Sequence, residues 1–350
     1  MKTLIVGYGY MGEIRKKVVD RVSDLTLDGI CDPFCGPDRT NCSCSHFGDY
    51  KDAIDQVKPD ITFVCSPNRY IPEVAAYAMD HGSHVFAEKP PGRNLEDVRQ
   101  IMAAETRNPG IKLMFGFNHR HHPAIIEAKS IVNAGRMGRV LWVRGIYGKS
   151  GGQGRVFEQS WRNDPKTSGG GILLDQGIHM LDLFRLFCGD FNEVIGLTST
   201  QFWNIPVEDN AFVILRSTNG QIAQLHSSAT LWKHTFRLEI GLEGGYLIAQ
   251  GLLSKSGSYG REMLLIGRRP DDDDPYAAVG NPREETVYFD KDLSWDLQVE
   301  ELVNCIKNDL PVTDSSSLDA LKVMEIIDAV YRQEREVFPC QAASGAGGGV

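Results

Sequence analysis

One stretch of this sequence holds three polar side chains that could move a proton. It opens at Gly169 and carries Asp175, His179 and Asp182 in an otherwise almost wholly apolar run. An apolar helix of this kind is buried, and the spacing i, i+4, i+7 places the three residues on one face. Burying two carboxylates and an imidazole is costly unless they are paired or used. The stripe is therefore either a satisfied polar network in a core or an Asp-oriented His that acts as a general acid/base.

The N-terminus carries a glycine motif suited to binding a dinucleotide. Residues 3–6 have a strand pattern, Gly7-Tyr-Gly9-Tyr10-Met11-Gly12 follows, and a helical pattern continues to about residue 21. Between a strand and a helix, the first glycine permits a tight turn and the second lets backbone approach a pyrophosphate. The third allows close packing of the helix, whose N-terminus faces the anion. We predict that Gly7, Gly9, Tyr10, Met11 and Gly12 contact the cofactor.

Asp32 ends the next strand-like run, twenty residues after Gly12. A carboxylate at this place would bind the adenosine ribose hydroxyls of NAD and repel the 2′-phosphate of NADP. The alternative is a strand-end Asp that only starts a turn at Pro33. Asp32 therefore predicts NAD as the cofactor. NADP is not excluded, because Arg39 lies close to Asp32 in sequence.

Strand and helix patterns then alternate to residue 115, which predicts a doubly wound parallel sheet. Ligands of such sheets bind at the carboxyl ends of the strands. The residues at those ends are predicted cofactor contacts: Ser66, Pro67, Asn68, Glu88, Lys89 and Asn118. By itself Lys89 would be an ordinary solvated charge, but here it stands where the nicotinamide should lie.

From Pro123 the pattern changes to consecutive strand-like hairpins with the Asp175 stretch among them. We predict a C-terminal α+β domain with a mostly antiparallel, open-faced sheet. The expected domains are a Rossmann domain over 1–121, a substrate and oligomerisation domain over 122–338, and a disordered Gly/Ala/Ser tail over 339–350.

Composition narrows the class of protein further. The 350 residues are 42% hydrophobic and carry a net charge of −9, so we expect no nucleic-acid partner. No apolar run reaches the roughly 18 residues of a membrane span, and the first residues lack a signal-peptide pattern. We expect a cytoplasmic protein.

Four of the eight cysteines cluster at Cys31, Cys35, Cys42 and Cys44, with His46 just beyond. A zinc site is conceivable, but the paired C-x₂-C spacing of common sites is missing. We expect reduced thiols in a surface loop and no metal.

Four segments together resemble the Gfo/Idh/MocA family of NAD(P)-dependent sugar and polyol oxidoreductases, over nearly the whole chain apart from the tail. They are Gly7 to Gly12, Glu88-Lys89-Pro90, Asn118-His-Arg120-His-His-Pro123, and Gly169-Gly-Gly with Asp175-x-Gly177-x-His179-x-x-Asp182. The resemblance implies a catalytic set of Lys89, Asp175 and His179. It also implies homodimers or homotetramers formed through the C-terminal sheet.

The implied roles agree with the chemistry of these side chains. Lys89 would stabilise developing negative charge on the reacting oxygen, and His179 would exchange the hydroxyl proton near its own pKa. Asp175 would orient the imidazole or anchor a substrate hydroxyl, with Asp182 behind it as support. Since sugars favour aromatic faces and forked donors, the further predicted substrate contacts are Arg120, Tyr147, Trp161 and Arg162, of which Trp161 is equally a candidate core residue.

The predicted function is hydride transfer between NAD(P) and a ring secondary hydroxyl or ketone of a sugar, glycoside, nucleotide sugar or cyclitol. One alternative is a glycosidase that uses NAD for transient oxidation and releases a sugar without net NADH. Another is a non-catalytic regulator that senses NAD or sugar. The complete set of Lys89, Asp175 and His179 argues against the regulator, because a sensor needs no proton-transfer pair.

Overall fold

The computed structural model describes residues 1–36, 40, 42–151, 154–254, 256–270 and 280–337. Its backbone forms two compact units. Unit 1 contains Met1–Asn118, Lys166–Gly169 and Ser294–Met324, and unit 2 contains His119–Pro165, Gly170–Leu293 and the chain from Glu325. The predicted domains 1–121 and 122–338 stay a prediction, since compactness does not test independent folding. Arg39 and the tail 339–350 lie outside the described residues.

Unit 1 is built on a six-stranded, fully parallel sheet in the order β3-β2-β1-β4-β5-β6. The strands are β1 (Lys2–Val6), β2 (Thr26–Cys31), β3 (Ser45–Phe47), β4 (Ile61–Val64), β5 (His84–Ala87) and β6 (Leu113–Phe115). Strands β4, β5 and β6 are short and mostly apolar, as expected where both faces of a parallel sheet are covered. The predicted doubly wound parallel sheet is confirmed.

Four helices of unit 1 connect these strands and cover the sheet. They are α1 (Tyr10–Val19), α2 (Tyr50–Val57), α3 (Ile71–Asp80) and α4 (Leu95–Arg107). The side chain of Asn94 accepts a hydrogen bond from the N–H of Asp97 and so caps the N-terminus of α4. The core of this unit also contains Val299, Leu302 and Val303, which belong to a helix far along the chain.

Unit 2 contains an eight-stranded sheet in the order β14-β13-β12-β11-β7-β10-β9-β8, antiparallel except for the parallel pair β7–β10. The strands are β7 (Val140–Gly148), β8 (Phe191–Ser199), β9 (Asn210–Ser217), β10 (Ile222–Ser228), β11 (Thr235–Leu242), β12 (Gly245–Gln250), β13 (Glu262–Arg268) and β14 (Glu284–Phe289). The predicted mostly antiparallel sheet is confirmed.

The remaining α-helices of the described chain are α5 (Pro123–Asn133), α6 (Gly154–Glu158), α7 (Pro165–Ser168), α8 (Ile178–Cys188), α9 (Ser294–Lys307) and α10 (Ser317–Val337). A π-helical turn, Leu173–Gly177, leads directly into α8. The side chains of Leu181, Leu183 and Phe184 on α8 are fully buried. The sequence predicted one regular helix here, whereas the structure inserts the wider turn just before it.

The cysteine cluster differs in part from expectation. The structure records a Cys42–Cys44 disulfide, so the expectation of reduced thiols is wrong for this pair. Cys31 remains a thiol, and burial raises its pKa to about 12, which opposes the thiolate form that metals bind.

No helix among the described residues combines the length and apolar character needed to cross a membrane.

Candidate active site

Each glycine of the N-terminal motif has the geometry that dinucleotide binding requires. Gly7 has φ +91°, and a Cβ there would lie 2.7 Å from the backbone of Cys65 and Ser66. A Cβ on Gly9 would meet no atom within 4 Å, so the space in front of the N-terminus of α1 is open. A Cβ on Gly12 would collide with the carbonyl oxygen of Gly7. These residues fit a pyrophosphate at a helix N-terminus.

Asp32 lies directly beside this loop. One carboxylate oxygen accepts a hydrogen bond from the N–H of Tyr8 at 2.7 Å, and the other accepts one from the N–H of Phe34 at 2.8 Å. The carboxylate is thus fixed after β2, beside the glycine loop, as a ribose-binding acid must be.

The other predicted cofactor residues of unit 1 stand at strand ends, and several have protein partners. Glu88 forms a buried ion pair with Arg15 at 2.7 Å, while half-buried Lys89 is the next residue after it. The amide of Asn68 donates to the carbonyl oxygen of Ser168 at 2.7 Å. Asn118 donates more weakly to Ser294 at 3.4 Å. These contacts hold the loops that carry the predicted cofactor residues.

In unit 2, Asp175 lies in a pocket lined by both charged and apolar side chains. Its carboxylate pairs with the ammonium group of Lys149 at 3.0 Å, and Nε of Arg162 lies 3.7 Å from its second oxygen. All three residues line one pocket, together with Phe157, Asn163, Gly171, Ile172, Ile205, Glu208 and Ala229. The structure therefore brings Asp175 and Arg162, two predicted substrate contacts, into one pocket. Beside it, the Arg162 guanidinium lies 4.6 Å from the ring centre of Trp161.

His179 is buried in α8 and stacks on a second imidazole. The ring centres of His179 and His119 lie 3.8 Å apart with the planes 21° apart, and the ring of Tyr147 lies 6.2 Å from His179. Burial raises the pKa of the Tyr147 hydroxyl well above its usual range, so this group stays a neutral hydrogen-bonding phenol. The predicted proton-transfer residue thus sits among aromatic rings.

Asp182 has a different partner from the other two members of the stripe. It forms a buried, two-point ion pair with Arg120, whose Nε and terminal nitrogen lie 2.8 and 2.6 Å from its oxygens. This pairing supports the interpretation of Asp182 as a structural neighbour of the site. The guanidinium of Arg120 donates to Asp182 through two of its nitrogens. A contact between Arg120 and the substrate stays a prediction.

Sequence reasoning missed Lys149 and His119. Lys149 begins the loop after β7, and His119 belongs to the run Asn118 to Pro123 that contributed to the family resemblance. No local pattern pairs Lys149 with a carboxylate 26 residues later. The cluster of three histidines was a usable signal for His119, since so many imidazoles in one turn are unusual in a core.

Models of one oxidoreductase family match both halves of the chain. The model described as "Oxidoreductase family, NAD-binding Rossmann fold" matches residues 1–117, and the model of the GFO/IDH/MocA C-terminal domain matches residues 125–248. Together they span more than half of the sequence. The chain belongs to the Gfo/Idh/MocA family. The predicted family and an NAD-binding N-terminal half are thereby confirmed.

Individual proteins of known activity share less than a third of their residues with this chain over the matched parts. Levoglucosan dehydrogenase of Pseudarthrobacter phenanthrenivorans is 29% identical over 172 residues, which are 49% of this chain and 44% of that protein. D-glucoside 3-dehydrogenase of Escherichia coli is 28% identical over 66% of this chain and 71% of its own length. The match thus spans less than half of the first relative. A solved levoglucosan dehydrogenase, in complex with NADH and levoglucosan, has a TM-score of 0.83 at 20% identity over 96% of this chain and 97% of its own; this shows a shared fold.

Proposed function

We propose that this protein is an NAD(P)-dependent oxidoreductase that acts on a ring secondary hydroxyl, or the corresponding ketone, of a sugar, glycoside, nucleotide sugar or cyclitol. The glycine loop carries this proposal, because Gly7, Gly9 and Gly12 each have the conformation or space that a pyrophosphate needs. Family relatives named as sugar dehydrogenases support the substrate class. We place the protein in the cytoplasm, as a homodimer or homotetramer.

In this proposal a bound nicotinamide supplies the hydride acceptor. Lys89 donates a hydrogen bond to the reacting oxygen and stabilises its growing negative charge. His179 takes the hydroxyl proton during oxidation and returns it during reduction. Asp175 accepts a hydrogen bond from a substrate hydroxyl, and Lys149 and Arg162 hold its carboxylate in place through their contacts at 3.0 and 3.7 Å.

A cofactor-reduction screen with free sugars, glycosides, inositols and nucleotide sugars tests the activity. On the substrate found, Lys89→Ala and His179→Ala should each abolish turnover while calorimetry still shows NAD binding. The exposed Lys51→Ala and His81→Ala serve as matched controls that should keep turnover. Turnover near wild type in the Lys89 or His179 variant would contradict the assigned roles.

Two further outcomes would replace the proposal by its alternatives. Release of a free sugar from a glycoside without net NADH would indicate a glycosidase. Retained NAD binding without cofactor reduction by any compound of the panel would indicate a regulator.

A further inference from the structure

Three aromatic side chains form a cluster on the surface of unit 2. Phe202 and Trp232 are each 61% exposed, and Trp203 is buried beneath them. The ring centres of Phe202 and Trp232 lie 4.8 Å apart in an edge-to-face arrangement, and Trp203 lies 5.0 and 6.3 Å from them. Large aromatic rings held in water forgo the free energy of burial, so such a patch indicates a binding surface.

The loop that carries two of these rings is held by the buried carboxylate of Asp209. Its oxygens accept hydrogen bonds from the backbone N–H groups of Gln201, Phe202 and Trp203 at 2.8 to 3.1 Å. Burial opposes ionisation of Asp209, but these backbone donors outweigh it and lower the pKa of the carboxyl. Since the loop is held at three successive residues, the ring of Phe202 is presented on a preorganised backbone.

This aromatic cluster is continuous with the pocket of Asp175. Phe157, Ile205 and Ala229 line that pocket and also pack in one apolar cluster with Trp203. The ring of Phe157 lies 4.8 Å from that of Trp203, and the indole N–H of Trp203 donates to the carbonyl oxygen of Ala229 at 2.9 Å. A packed apolar cluster therefore joins the lining of the pocket to the two exposed rings.

We propose that Phe202 and Trp232 form a stacking subsite for a second ring, joined by a glycosidic bond to the sugar that reacts. The inference rests on the proposed function and narrows its substrate class to glycosides. The apolar face of a pyranose or of an aryl group stacks on aromatic rings, while Asp175, Lys149 and Arg162 supply the polar contacts that a sugar needs. The two sources of this second ring, carbohydrate and aryl, share the same stacking chemistry.

Calorimetric titration of the NAD-loaded protein with methyl β-D-glucoside, phenyl β-D-glucoside and cellobiose tests the subsite. The ligands with a second ring should bind roughly tenfold more tightly than the methyl glucoside, which corresponds to about 1.4 kcal/mol. Trp232→Ala and Phe202→Ala should remove this preference. Tyr288→Ala, which truncates a 52% exposed aromatic outside the cluster, should retain it. A gain for phenyl alone or for cellobiose alone identifies the source of the ring, and either supports the proposal.

Equal binding of all three ligands by the wild type would overturn the subsite, as would an unchanged preference in both cluster variants. A Trp232→Ala variant that changes the sedimentation coefficient but keeps the preference would assign the patch to protein association instead. Binding does not depend on turnover, so the two proposals can fail separately. If the protein oxidises free sugars but does not bind ligands with a second ring more tightly, only the subsite proposal is contradicted. If it binds those ligands more tightly but oxidises none of them, only the proposed enzyme activity is contradicted.

Discussion

At the scale of single residues, three aspartates of this chain differ only in what surrounds them. Asp32 is held by backbone N–H groups beside a glycine loop, Asp175 by a lysine in a pocket, and Asp182 by a buried arginine. A carboxylate held by backbone at a loop can serve a ligand. One locked in a buried ion pair supports the fold, because its oxygens are already occupied by Arg120.

Asp182→Asn should destabilise the protein by about 3 kcal/mol, because it leaves the guanidinium of Arg120 buried without its counter-charge. The free energy of unfolding in urea measures the loss. Glu193→Gln, which breaks the exposed ion pair with Arg216, should cost about 0–1 kcal/mol. Similar losses in the two variants would show that the buried pair has no special weight.

Asp32→Ala should weaken NAD binding roughly tenfold, since a bond to the ribose and the anchor of the Tyr8 N–H are both lost. The affinity for NADP should rise relative to the affinity for NAD, because the carboxylate no longer repels the 2′-phosphate. Dissociation constants for both cofactors measure the change, with Asp28→Ala on β2, the strand before Asp32, as the control. An unchanged preference would count against a ribose contact by Asp32.

At the scale of elements, Glu262 joins the start of α5 to strand β13. Its buried carboxylate accepts hydrogen bonds from His122 and from the N–H of Ala124, both at 2.8 Å, and from the N–H of Leu253 at 3.2 Å. Burial opposes its ionisation, but the bonds from His122 and the backbone outweigh burial and lower the pKa of Glu262. One side chain thus fixes a helix end, a strand and a loop.

This lowered pKa has a pH signature. A carboxyl whose folded pKa is depressed stabilises the protein above its unfolded pKa, and that stability is lost as pH falls through the folded pKa. Glu262→Gln should therefore reduce the free energy of unfolding at neutral pH. The difference from wild type should shrink as pH drops below about 4.3. Urea titrations between neutral and acidic pH measure it, and a difference independent of pH would contradict the pairing.

At the scale of the whole molecule, the open face of the unit 2 sheet carries an apolar row. Ile195 pairs across the strands with Ile214, and Leu197 with Phe212. All four side chains are exposed. Such a row on an extended sheet suits a partner surface, which supports our proposal of a homo-oligomer formed through this sheet.

Ile214→Glu should convert the proposed oligomer to a single chain, because a charge in the middle of the row would be buried without a partner. Sedimentation velocity gives the mass. Leu318→Glu, at an exposed leucine of α10, should leave the mass unchanged. A wild type that sediments as one chain at micromolar concentration would remove the proposal.

Much of the fold could be predicted because its signals are local. The glycine motif between a strand and a helix, the alternation of strands and helices to residue 115, and the later hairpins each depend on neighbours in sequence. Asn94 shows this for one residue, since a helix cap needs only the three residues after it. The same holds for the predicted cofactor site, because Gly7, Gly9 and Gly12 form a motif within six consecutive residues.

Only the tertiary structure decided the partners of the polar residues. Arg120 meets Asp182 from 62 residues away, Lys149 meets Asp175 from 26, and His119 stacks on His179. No periodic pattern encodes such pairs, because they depend on how β7, the π turn and α8 pack together. The sequence alone predicted a polar stripe on a buried helix that follows a dinucleotide-binding fold along the chain. In the tertiary structure, Asp175 lies in a pocket beside Lys149. His179 stacks on a second imidazole, and Asp182 forms a buried ion pair.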